Sequence, residues 1–123
     1  MSHDNLQRTV YIAYLACEEQ HLAAISSYIG KNLSRRFGGV TLSQKRGFWA
    51  ADGDEHKSSY TGQISEETVI AIHLSVLTEQ DTDALALLRQ TVKEAINQVD
   101  SSARHLHVER FESQALHTDL LID

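Results

Sequence analysis

Residues Glu67 to Leu77 read Glu-Thr-Val-Ile-Ala-Ile-His-Leu-Ser-Val-Leu, a largely β-branched and aliphatic run. Such a run is a strand signature. Successive side chains alternate, so Ile70, Ile72, Leu74 and Val76 share one face while Val69, Ala71, His73 and Ser75 share the other. The larger set is expected to meet helices. A second run, Thr9 to Ala16 (Thr-Val-Tyr-Ile-Ala-Tyr-Leu-Ala), carries no charge at all and reads as a strand covered on both faces, central in a sheet.

Each strong strand is followed by a helical pattern. After Glu18 and Glu19, Leu22, Ile25, Ile29 and Leu33 recur at three- and four-residue spacing. The acidic start and the Lys31, Arg35 and Arg36 end complement the helix dipole, and Gly38-Gly39 stops the helix. After the capping cluster Asp81-Thr82-Asp83, Leu85, Leu88, Val92, Ile96 and Val99 form a second apolar stripe. Two weaker strands complete the set. Val40 to Trp49 places Val40 and Leu42 opposite Thr41, Ser43 and Lys45; His105 to Phe111 places Leu106 and Val108 opposite His107, Glu109 and Phe111. Between Ala50 and Ser65 the turn residues Asp52-Gly53-Asp54, Ser58-Ser59 and Gly62 predict a long, mobile hairpin connection, and Glu112 to Asp123 carries no assigned element.

The order strand, helix, strand, strand, helix, strand predicts an α+β, ferredoxin-like βαββαβ fold: a four-stranded antiparallel sheet with both helices on one face and the first and third strands in the middle. With 123 residues, 41% of them hydrophobic, the chain is sized for one such domain, with a core over about 8–113 and a tail over 114–123. The formal charge of −6 disfavours nucleic acid as a partner. No stretch is long and apolar enough for a bilayer, and the single cysteine, Cys17, cannot form an internal disulfide, so a cytoplasmic setting without a membrane partner is expected. Protonating all seven histidines would carry the formal charge from −6 to +1, so assembly is expected to respond to mildly acidic pH, which sedimentation at two pH values would read.

One further pattern spans the first helix end, the second strand and the loop: Arg35-Arg36-Phe37-Gly38-Gly39-Val40-Thr41, then Gly47-Phe48-Trp49, then Asp52-Gly53, then Glu66-Glu67. It resembles a group of small uncharacterised bacterial and phage proteins. The resemblance implies a ferredoxin-like fold, draws attention to Thr41, Trp49 and Glu66-Glu67, and admits a phage or mobile-element protein that neutralises a host component.

A sheet with helices on one face leaves the other for water, a ligand or a partner. Strand parity puts His73, Ser75, His107 and Glu109 there. Two imidazoles and a carboxylate could hold a divalent metal, or act as acid and base, with Glu109 orienting a histidine. The segment Ile72-His73-Leu74-Ser75 also resembles half of a two-histidine phosphodiesterase site, but no second copy with Ser or Thr follows. Neither a nucleophile elbow nor a phosphate-binding glycine loop is present. Trp49 as a stacking wall, Arg46 or Lys45 as counter-ion and Thr41 nearby would suit a small anionic ligand. Val69, Ala71 and Phe111 on the same face point to a homodimer formed through it. The reading is a non-catalytic binding or oligomerisation module with a small-molecule or protein partner; the alternative is a small metal- or histidine-dependent enzyme of the dimeric α/β-barrel type. The sequence names no cofactor.

Overall fold

A computed structural model of the protein describes residues 6–122. In chain order it contains β1 (Leu6–Ala16), α1 (Leu22–Phe37), β2 (Thr41–Ala50), β3 (Ile64–Leu77), α2 (Asp81–Gln98) and β4 (Leu106–Ala115), with single 3₁₀ turns at Glu19–His21 and Thr78–Gln80 leading into the helices. The four strands form one sheet in the order β2-β3-β1-β4. All pairings are antiparallel: Tyr11 lies opposite Leu74 and Arg110, and Ile72 lies opposite Ala13 and Leu42. This is the ferredoxin-like α+β fold, with the two most apolar strands central.

The core follows from the two periodicities. Tyr11, Ala13 and Leu15 of β1 and Ile70, Ile72, Leu74 and Val76 of β3 are buried on one sheet face. Against them pack Ile25, Ile29 and Leu33 of α1 and Ala84, Leu88, Val92 and Ala95 of α2. Each large aliphatic side chain buried in this way contributes about 1.5–3 kcal/mol. The first helix ends at Gly38, whose φ of 91° lies in the left-handed region and whose N–H donates to the Ser34 carbonyl at 2.8 Å.

Several boundaries differ from the sequence reading. Leu85 is exposed at 42% while Ala84 takes the core position, because the buried face of α2 runs through Ala84, Leu88, Thr91, Val92 and Ala95 and leaves Leu85 at its edge. Asp81 does not cap α2 with its side chain; Gln80 occupies the N-cap position. The Asp81 carboxylate instead accepts from the buried Tyr11 hydroxyl and from Arg110 Nη1 at 3.3 Å, while still lying in the helix's first turn, where negative charge is favoured. Burial and the Asp81 hydrogen bond push the Tyr11 phenol up from its ordinary range.

β3 begins at Ile64, so the β2–β3 hairpin projects beyond the helices, and β4 runs to Ala115, opposite Leu6. Their polar ends lack the alternation that marks a strand; pairing with β2 and β1 extends them. The connection over 51–63, expected to be mobile, is organised by Asp52, which accepts from Lys57 Nζ at 2.8 Å, from Thr61 N at 3.1 Å and from Gly62 N at 2.9 Å. The Lys57 ammonium, assisted by those amides, holds the Asp52 carboxyl below the usual range. Val69, expected to be exposed, is 2% exposed because it fills the space beside Gly47. No helix among the described residues is long and apolar enough to cross a membrane.

Candidate functional site

The register maps the face away from the helices. Across it run Ala71, Tyr14 and His107; then Thr41, His73, Ile12 and Glu109; then Ser75, Val10 and Phe111. His107 and Glu109 meet, with Nε2 and Oε2 at 2.8 Å, and the His107 ring lies against Tyr14 with centroids 6.2 Å apart. His73 stands beside Thr41, separated from Glu109 by β1, at roughly 10 Å for two strand spacings. Among the described residues no three His, Cys, Asp or Glu side chains group closely enough to hold a metal ion. Lys45 shares the face of Trp49, opposite Val69, whereas Arg46 alternates to the other face and pairs with Glu66 at 2.6 Å. Arg46 therefore does not stand with the indole.

A cleft of about 750 Å³ opens where the C-terminal end of β1 meets the first half of β3, bounded by Trp49 and the α2–β4 connection. One wall shows why Gly47, Trp49 and Glu67 occur together. Trp49 and Gly47 share a face, and a Cβ at Gly47 would meet Trp49 Cζ2 at 3.1 Å and Val69 Cγ2 at 2.7 Å. Glycine thus lets the indole fold back over the strand. Glu67, directly across from Gly47, accepts the indole N–H at 2.6 Å and sets the ring's direction. At 47% exposure, Trp49 keeps much of its surface for another molecule.

Glu18 builds the opposite wall. Its carboxylate accepts from Ser101 Oγ at 2.7 Å and from the Ser102 amide at 3.2 Å, tying the α2–β4 connection to the end of β1. The Ser101 hydroxyl and these amides lower its pKa to about 2, so the tie is ionised across the ordinary pH range. Cys17 lies between, its N–H donating to the Thr68 carbonyl at 3.1 Å and its half-buried thiol pushed up chiefly by burial. The cleft is lined by the carboxylates Glu18, Glu66 and Glu67 against the one guanidinium of Arg104. Tyr14 and Arg104 were not singled out from the sequence. Glu18 was expected as the acidic start of α1, but α1 begins at Leu22 with no acidic residue in its first turn, and the Glu18 carboxylate turns to Ser101 and Ser102 instead. Glu18 and Ser101 stand 83 positions apart, and only the fold brings them together.

No protein-family model matches the chain, and no curated protein matches it either. Among solved structures the chain is similar to a phage SAM lyase in complex with S-methyl-5′-thioadenosine, with a TM-score of 0.52, 13% sequence identity and 95% of each chain covered. At that identity the likeness is one of fold. It extends over nearly the whole of both chains, so the same small α+β architecture serves a ligand-binding protein of phage.

Proposed function

We propose that the cleft binds a small cationic molecule bearing a flat ring, of the class of S-adenosylmethionine and related nucleosides. The observation that carries this reading is the Trp49 indole, folded over Gly47 and held by Glu67 at the cleft, with carboxylates outnumbering guanidinium around it. An aromatic face attracts a cation through its quadrupole, and a purine stacks on the same surface. Glu67 and the ionised Glu18 add negative potential, while the charge of Glu66 is balanced by Arg46. The balance of charge favours a cation over the anionic ligand expected from Lys45 and Arg46, since Arg46 points away and is neutralised by Glu66. The solved neighbour, a lyase of SAM holding a thioadenosine, supports this ligand class.

Turnover is the second reading, favoured by that neighbour's activity and by His107, which lines the cleft and is paired with Glu109. In that reading His107 moves a proton and Glu109 orients its ring. Titration calorimetry with S-adenosylmethionine, followed by chromatography for released S-methyl-5′-thioadenosine, tests both. Saturable binding weakened about tenfold by Trp49→Ala supports the binding reading. Product lost in His107→Ala while binding persists supports turnover. No binding of S-adenosylmethionine or of S-methyl-5′-thioadenosine by folded protein would overturn the proposal.

A further inference from the structure

We propose that the protein pairs with a second copy of itself along the outer edge of β4, antiparallel and centred on Phe111. β4 is outermost in the sheet, so one row of its backbone donors and acceptors has no strand partner among the described residues. Two identical strands related by a two-fold axis through the sheet oppose residues on the same face, so the axis must coincide with a residue. With Phe111 on the axis, each Phe111 faces its copy, Arg110 faces the partner's Glu112 twice, and Leu106 faces the partner's Leu116. With Arg110 on the axis, two guanidinium groups confront each other and Phe111 faces the partner's Glu109. The self-complementary order Arg110-Phe111-Glu112 therefore selects the first register.

The side chains involved are available for it. Phe111 is 48% exposed and Leu116 68% exposed. Glu112 has no ion-pair partner among the described residues, and Arg110 is largely exposed beside Asp81. The chain beyond β4 supplies a second contact. Leu120 and Leu121, at 91% and 95% exposed, follow Asp119. A groove of about 510 Å³ between α2 and the start of β4 offers Val92, Ile96 and Leu106, rimmed by Arg89, Lys93 and Arg104, which have no ion pairs among the described residues. A chain's own Leu120 cannot fill it. Extended, Leu120 reaches about 17 Å from Ala115, while the nearest groove residue of β4, Val108, lies about 23 Å back along the strand. Antiparallel pairing delivers the partner's Leu116 to Leu106, at the mouth of this groove, with the partner's Asp119 near the basic rim. The edge pairing is argued from β4, its tail and the helix-side groove and not from the Trp49–Glu67 wall, so it stands independently of the ligand reading.

Light scattering on the size-separated chain should give twice the 13.8 kDa monomer mass at micromolar concentration. Phe111→Lys, an exposed change that sets two ammonium groups face to face, should give monomer with an unchanged circular dichroism spectrum. Glu112→Arg should weaken the dimer about tenfold, and the charge-swapped Arg110→Glu/Glu112→Arg pair should recover it. A monomeric native protein overturns the proposal, and so does a dimer that both single variants leave intact. A folded double variant no tighter than Glu112→Arg overturns the register.

Discussion

The two faces of the sheet are made by the same four strands under different constraints. On the helix side, β1 and β3 present apolar side chains, Thr9 and the ring of Tyr11, whose hydroxyl donates to Asp81, over the stretch covered by α1 and α2. On the other side, Val10, Ile12 and Val69 are interleaved with His73, Ser75, Tyr14 and, at the edges, Lys45, His107 and Glu109. The first face is specified by composition, since any large apolar residue at alternate positions would serve. The second depends on register, because what matters is which strand sets which side chain beside which. Stability is therefore concentrated on one side and chemistry on the other.

The largest effect that would test this division is expected at Ile72, fully buried on the helix side. Ile72→Ala should cost about 2–5 kcal/mol in urea unfolding. A loss no greater than that of an exposed position would remove the distinction between the faces. Next comes Gly47→Ala, where a new Cβ would meet Val69 Cγ2 at 2.7 Å and displace the indole. It should cost about 1–3 kcal/mol and shift the Trp49 emission to the red; an unchanged spectrum would mean that the ring does not lie over the strand.

Glu18→Gln sharpens the comparison through pH. The Glu18 carboxyl is lowered from 4.5 to about 2, so its stabilising effect is complete above the unfolded pKa and disappears as pH falls through the folded one. The difference in melting temperature between native protein and variant should be full near neutral pH and shrink between pH 4.5 and about 2. A difference constant over that window would show that the Ser101–Ser102 tie is not carried by the charge. The smallest effect is expected at His73, exposed and beside Thr41. His73→Ala should change stability by less than about 0.5 kcal/mol, and metal content not at all; a metal lost from the variant would restore the three-ligand reading.

What could be read from the sequence follows the same divide. The helix-side face, the element order and the Gly38 stop were legible because period and φ preference are local. The misplaced Leu85 shows the limit of that signal, since an apolar stripe does not say which of its edges turns inward. On the open face the alternation correctly grouped His73, Ser75, His107 and Glu109, yet only the register shows that Ile12 divides His73 from the His107–Glu109 pair. Trp49 and Glu67 were noticed as isolated positions; their hydrogen bond depends on β2 and β3 pairing with Gly47 opposite Glu67. The Glu18 wall had no local signal, because its partners come from the far end of the chain.

The central claim is that the open-face cleft is a ligand site, and the most direct probe is the Trp49 indole N–H resonance during a titration with S-adenosylmethionine. The account predicts a saturable shift of that resonance together with the amides of Glu67, Tyr14, Ser102 and His107, with the α1 and α2 amides unmoved. A spectrum that does not change, or changes confined to the helices, would contradict it.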